Sequence, residues 1–246
     1  MKLIIVGGPP SVGKSAVLSH ALRHLERQGR KVGIVKLDCL VAGDEEVYAS
    51  KGFETITGLS TYVCPDHYLA TNIDRIVAWG MRRGTDLLVI ESAGLCNRCS
   101  PYVKGSLAVA VMDTLSGVRA PRKMGPLLRS ADLVVITRGD LVSQAEREVF
   151  RLRVAAVNRR AKLMEVNGLT GQGTRALASE LNAARSVDVE EVMELRFPMP
   201  SAVCSFCLGE KRIGDRFASG SVRLMSLPDD PAPGAARESR KEGRDG

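Results

Sequence analysis

The sequence predicts a three-layer α/β fold with a mostly parallel sheet, and the layout of its apolar residues carries that expectation. Short apolar runs such as LIIV at 3–6 and DLLVIES at 86–92 have the length of buried strands, and they alternate with longer segments whose apolar residues recur at helical spacing. The runs are apolar throughout rather than alternating, as strands are when helices cover both faces of a parallel sheet. Composition agrees, since 44% hydrophobic and 26% charged over 246 residues is the balance of a chain that buries one sizeable core.

Taken in order, the strand at 3–6 is followed by a helical AVLSHALRHLERQG, a strand VGIVKLD, a helical TNIDRIVAWGMRRG and the strand DLLVIES. Strands in SLAVAVMDT and ADLVVITRGD come next, then a helical SQAEREVFRLRVAAVNRR, a strand in KLMEVN and a helical TRALASELNAA. This pattern assigns residues 1–195 to one nucleotide-binding domain. From 196 to 225 the texture turns to FPMPSAVCSFCLGEKRIGDRFASGSVRLM, rich in turn formers and read as a small Cys-containing C-terminal element. Residues 226–246 are polar, rich in Pro and Gly and mixed in charge, as in a disordered tail. No internal repeat is visible.

Between the first strand and the first helix lies Gly8-Pro9-Pro10-Ser11-Val12-Gly13-Lys14-Ser15, which fits G-x-x-x-x-G-K-[ST] in the context the motif requires. Glycines allow backbone N–H groups to turn inward around a β-phosphate, and the helix N-terminus adds its partial positive charge. Gly8, Ser11, Val12 and Gly13 would cradle the phosphates, Lys14 would reach the β- and γ-phosphates, and the Ser15 hydroxyl would ligand Mg²⁺. The fold class is therefore a three-layer P-loop NTPase. Asp38 and Glu91, each at the carboxyl end of a strand, would face the phosphates, where carboxylates hold Mg²⁺ through water or orient an attacking water. Thr137-Arg138-Gly139-Asp140 resembles the guanine-reading signature [NT]-K-x-D with Arg138 in place of lysine. In that signature the aspartate accepts hydrogen bonds from N1–H and the amino group of the base, so Thr137 and Asp140 point to GTP, with ATP the alternative. Val166-Asn167-Gly168-Leu169-Thr170-Gly171 would complete the base pocket.

The formal net charge is +7, but basic residues are scattered and aromatics are 4%, which argues against nucleic acid as the partner. No stretch reaches bilayer-spanning length and the amino-terminal apolar run is too short for a signal peptide, so a cytoplasmic protein with no membrane partner is expected. In that reducing compartment six Cys point to metal or redox chemistry rather than to structural disulfides. Cys96-Asn97-Arg98-Cys99 follows the Glu91 strand, so γ-phosphate and metal would share one loop. Two Cys supply half of a tetrahedral thiolate site; the rest would come from a two-fold mate or from Cys204-Ser205-Phe206-Cys207. Such a Cys₄ site suits Zn²⁺ or a [4Fe–4S] cluster. Cys39 reads as packing, and His20 and His24, one turn apart, as solvated helix surface.

The segment VMDTLSGVRAPRKMGPLLRSADLVVITRGDL at 111–141 resembles the nickel-metallochaperone GTPases that mature urease and NiFe hydrogenase, over roughly residues 1–185. Glu91-Ser92-Ala93-Gly94 is similar to that family's E-S-x-G switch. Cys64-Pro65-Asp66-His67 is similar to its nickel-binding Cys-Pro-His with one additional residue, which would make Cys64 and His67 metal ligands alongside Cys96, Cys99, Cys204 and Cys207. The resemblance implies a homodimer that hydrolyses GTP and delivers a transition metal, nickel or zinc, to a client metalloenzyme or its maturation complex. Two other classes remain open on the residues: an ATPase whose inter-subunit iron–sulfur cluster reductively activates a metalloenzyme, and a small-molecule P-loop kinase drawing on Arg82-Arg83 and Arg122-Lys123.

Overall fold

The computed structural model describes residues 1–40, 45–94, 100–187, 191–197, 210–213, 217 and 223–228. Cys96, Cys99, Cys204 and Cys207 lie outside them. Seven strands form one sheet in the order β3-β2-β4-β1-β5-β6-β7. They are β1 (Lys2–Gly7), β2 (Val32–Asp38), β3 (Thr55–Leu59), β4 (Leu87–Ser92), β5 (Leu107–Asp113), β6 (Leu133–Thr137) and β7 (Lys162–Glu165). Every neighbouring pair is parallel, so the carboxyl ends of all strands open on one edge. The helices are α1 (Lys14–Glu26), α2 (Glu45–Ala49), α3 (Pro65–Arg82), α4 (Ala120–Lys123), α5 (Gly125–Arg129), α6 (Gln144–Val157) and α7 (Thr174–Ala183).

Side chains of successive strand residues point to opposite faces, and the two cores follow that alternation. Ile4, Val6, Leu87 and Val89 pack with α1, α2 and α7, whereas Leu3, Ile5, Leu88 and Ile90 pack with α3 and the α4–α6 layer. Helix α3 lies close to the sheet because Gly33 and Gly80 leave room for it. A Cβ on Gly33 would meet Thr85 at 2.9 Å and one on Gly80 would meet Leu88 at 2.9 Å. Helix α6 starts at a reciprocal capping box between Ser143 and Glu146.

Three features differ from the sequence expectation. Strand β3 and helix α2 fill the 38–65 connection; in β3 Gly58 interrupts the apolar run, and its Cβ position lies 2.8 Å from both Leu37 and Tyr68. Helix α3 begins at Pro65 rather than near Thr71, because its first turns bury Asp66, His67 and Asn72, polar residues that blur the apolar period. His20 and His24 are half-buried rather than solvated: α7 packs on α1, a Cβ on Gly171 would lie 3.3 Å from His20 Nδ1, and His24 Nε2 is 3.4 Å from the Thr174 hydroxyl.

Ile213, Met225 and Leu227 join the α3-side core, so the packed chain runs past residue 225. Asn72, fully buried on α3, donates to the Arg223 carbonyl at 2.9 Å and accepts from the Met225 N–H at 2.7 Å.

Candidate functional site

The loop after β1 has little freedom. A Cβ on Gly8 would lie 2.6 Å from the Val111 carbonyl oxygen, and Gly13 has φ 88°, a left-handed conformation that glycine adopts without steric cost. Ser11, at φ 62°, also occupies that region. Its carbonyl accepts from Arg138 Nη2 at 2.8 Å, while the Val12 carbonyl accepts from the Thr137 hydroxyl at 2.8 Å. The segment after β6 thus holds the loop from the side. Lys14 Nζ donates back to the carbonyls of Gly8 at 3.0 Å and Pro9 at 2.8 Å, which places an ammonium across the mouth of the loop.

Beneath the loop is a buried polar network. Ser15 Oγ donates to Glu91 Oε1 at 2.8 Å, Tyr48 donates to Glu91 Oε2 at 2.5 Å, and Lys36 Nζ stands 3.5 Å from Glu91 and 3.2 Å from Ser15 Oγ. The Lys36 and Glu91 side chains are 2% and 3% exposed. Parallel register places them side by side on the α1 face of the sheet. Lys36 and Tyr48 join this network without having been singled out from the sequence; a lysine inside the apolar run VGIVKLD was the available signal. Buried ions persist only when paired and hydrogen-bonded, and this pair is both. Asp38, one strand over, accepts the Cys39 N–H at 2.7 Å. Cys39 itself donates to the Thr61 carbonyl at 2.8 Å.

Ser92 follows Glu91 and therefore points to the other face. There its hydroxyl donates to Asp66 Oδ1 at 2.7 Å. Asp66 is fully buried in the first turn of α3, between Cys64, which precedes the helix, and His67, which is also buried. Burial is the main cause that pushes the Asp66 carboxyl up to about 7; the nearby Cys64 pushes the same way, while the Ser92 donor, His67 and Lys14 oppose it. Gly94 closes over this carboxylate, since a Cβ there would sit 2.7 Å from Asp66 Oδ2. Among the described residues no three His, Cys, Asp or Glu side chains are grouped to hold a metal ion.

On the base side a cavity of about 310 Å³ is lined by Gly13, Val17, Thr137, Asp140, Asn167 and Gly168, among others. A second, of about 380 Å³, shares Asp140 and Asn167 with it. Asn167 Oδ1 accepts the N–H groups of Leu169 at 2.8 Å and Thr170 at 3.0 Å, which curls the loop toward α1. Asp140 is exposed at the rim, and Arg138 is half-buried at φ 57° with its guanidinium paired to Asp113. The sequence-predicted residues Gly8, Ser11, Val12, Gly13, Lys14, Ser15, Glu91 and Thr137 therefore meet around one loop, with Asp140 beside it.

A model of the nucleotide-binding domain of CobW/HypB/UreG proteins matches residues 2–165. The chain belongs to the CobW/HypB/UreG family. The likeness to the urease- and hydrogenase-maturation GTPases read from the sequence is thereby established, and with it a P-loop nucleoside triphosphatase. The chain is 46% identical over 225 residues to the uncharacterized protein MJ0120 of Methanocaldococcus jannaschii, covering 92% of this chain and 96% of that one. It is 32% identical over 180 residues to the urease accessory protein UreG of Trichodesmium erythraeum, covering 68% and 84%. The structure of HypB from Helicobacter pylori in complex with nickel has the same fold, with a TM-score of 0.59 at 15% identity over 76% of this chain and 91% of that one. Among the described residues no helix is long and apolar enough to cross a membrane.

Proposed function

We propose that this CobW/HypB/UreG protein is a GTP-hydrolysing assembly factor that delivers a nickel-like transition metal to a client metalloenzyme or its maturation complex, working as a homodimer. One observation carries the reading: Glu91 bonds to Ser15 of the phosphate loop, and the adjacent Ser92 bonds to Asp66 in the Cys64–His67 turn. A change at the γ-phosphate position is thus two residues from the metal-side turn, and the segment holding Cys96 and Cys99 follows directly in sequence.

The residues fit Mg²⁺. Ser15 and Glu91 offer hard oxygens, and the Lys36 ammonium already stands beside both as a cation would. When bound, Mg²⁺ would neutralise charge on the β- and γ-phosphates, with Ser15 and Glu91 holding it. Lys14 would leave the Gly8 and Pro9 carbonyls for the phosphate oxygens, and Asp38 would orient the attacking water. Thr137 and Asp140 support guanine as the base. Asp140 lines a cavity together with Ala16 and Val17 of α1 and with Asn167.

Metal retention provides the test. The full-length protein, loaded with Ni²⁺ or Zn²⁺ and dialysed with Mg²⁺ and GDP or a non-hydrolysable GTP analogue, should retain metal in one nucleotide state and lose it in the other. Cys96→Ala with Cys99→Ala should remove the metal and leave nucleotide binding intact. Retention that is the same with either nucleotide or with none would refute the coupling.

A further inference from the structure

Away from the nucleotide loop, on the face of the sheet opposite α1, a cavity of about 410 Å³ is lined by Arg122, Gly125, Arg129, Arg153, Ala156 and Val157. Three arginines from three helices thus line one hollow together with Gly125, Ala156 and Val157. All three are exposed, and their guanidinium groups make no hydrogen bond or ion pair with another described residue. Arginines that support the fold behave otherwise: Arg138 is paired with Asp113 and Arg196 with Asp132. The surrounding sequence is depleted of counter-charge, because residues 114–131 contain Arg119, Arg122, Lys123 and Arg129 but no Asp or Glu, and residues 149–160 contain no acid either.

The same helix layer also exposes aliphatic side chains. Helix α6 buries only Phe150 and Val154, and it leaves Val149 42% and Leu152 67% exposed. The turn at Thr114–Ser116, which packs against α6, adds Leu115 at 51%, with Val118 at 44% shortly after it. Unpaired guanidinium forks next to exposed aliphatic side chains are the chemistry of a protein interface, since Arg offers planar bidentate donors to carboxylates and the aliphatic groups supply area to bury.

We infer that this face docks an acidic, partly apolar segment of a partner protein, with the partner's carboxylates entering the Arg122/Arg129/Arg153 hollow and its apolar side chains covering Leu152, Val149 and Leu115. A second copy of this chain with the hollow on the two-fold axis fits poorly, because it would set arginines against arginines. Nucleic acid fits poorly as well, because no exposed aromatic side chain lines the patch to stack a base. The surface connects to the nucleotide site. The loop carrying Arg122 and Arg129 leaves β5 at Asp113, whose carboxylate holds Arg138, and Arg138 holds the Ser11 carbonyl of the phosphate loop.

The test uses the full-length chain and a fluorescein-labelled peptide of alternating glutamate pairs and leucine, read by anisotropy, with a fluorescent guanine nucleotide as a separate readout. R122Q/R129Q/R153Q should weaken the peptide about tenfold or more, and Leu152→Ser should weaken it about threefold, with nucleotide affinity unchanged in both. A charge-matched control, R27Q/R30Q/R175Q, should stay within about twofold of the parent. Equal loss in that control would reduce the effect to net charge and overturn the proposal. Full competition by pyrophosphate with no effect of Leu152→Ser would make the hollow a small-anion site. Tighter binding of single-stranded DNA through the same arginines would make it a nucleic-acid surface, and self-association abolished by the triple substitution would make it a contact between copies.

Discussion

Replacing Lys36 with methionine removes the only ammonium beside Glu91 among the described residues while keeping most of the side-chain volume. The Glu91 carboxylate then stays buried with, among the described residues, the Ser15 and Tyr48 hydroxyls as its side-chain donors. Breaking one partner of a buried ion pair costs about 3–5 kcal/mol. The two remaining donors put the expectation at the lower end, ~3 kcal/mol. For a chain of this size each kcal/mol moves the midpoint by about 2–4 °C, so thermal unfolding should shift down by about 6–12 °C. Adding Glu91→Gln removes the stranded charge and keeps an acceptor for Ser15, so the double variant should recover at least half of that loss. Urea unfolding of parent, single and double variants at neutral pH measures the coupling directly. A single variant within about 1 kcal/mol of the parent, or a double variant whose losses simply add, would refute the view that Lys36 neutralises Glu91.

Lys14→Ala should abolish triphosphate binding, read by isothermal titration, because no other side-chain cation among the described residues bonds to the Gly8 and Pro9 carbonyls at the mouth of the loop. Asp140→Asn should weaken preference for guanine over xanthine nucleotides in competition binding, since in the proposed function its carboxylate would accept the N–H donors of the base. Gly94→Ala should destabilise by about 1–3 kcal/mol through its 2.7 Å approach to Asp66, and the penalty should shrink in an Asp66→Ala background, measured by urea unfolding. His20 is held below the ordinary histidine value of 6.5, first by burial and then by the charges of Lys51, His24 and Arg23, against a hydrogen bond with the Gly168 backbone that raises it. The unfolded chain therefore binds the extra proton first, and stability should fall as pH drops below about 6.5; His20→Gln should flatten that part of the profile.

Much of the fold was legible because buried parallel strands are apolar throughout and the phosphate loop is punctuated by Gly8 and Gly13. β3 was not, because Gly58 and the threonines around it look like a turn until Tyr68 and Leu37 are seen packed against them. The site was half legible. Lys14, Ser15, Glu91 and Asp140 sit in spacings with a chemical meaning of their own. Lys36, Tyr48 and Asp66 matter only through partners 21 to 55 positions away, as in the bonds from Lys36 to Ser15 and to Glu91, and nothing local to them announces those bonds. Arg138 shows a third case: the departure from lysine is visible, but its bonds to Asp113 and Ser11 appear only once β5, β6 and the first loop are brought together.

The opposite orientations of Glu91 and Ser92 impose an arithmetic on β4. An insertion or deletion of a single residue within that strand would turn the carboxylate toward α3 and the hydroxyl toward the phosphate loop, exchanging their roles and disconnecting both. Only changes by two residues keep each group on its own side, and those displace the strand end by about 7 Å, beyond reach of Ser15 and Asp66 alike. The length of this strand is therefore as constrained as the identity of its last two residues, and relatives that share the connection should keep β4 at the same length.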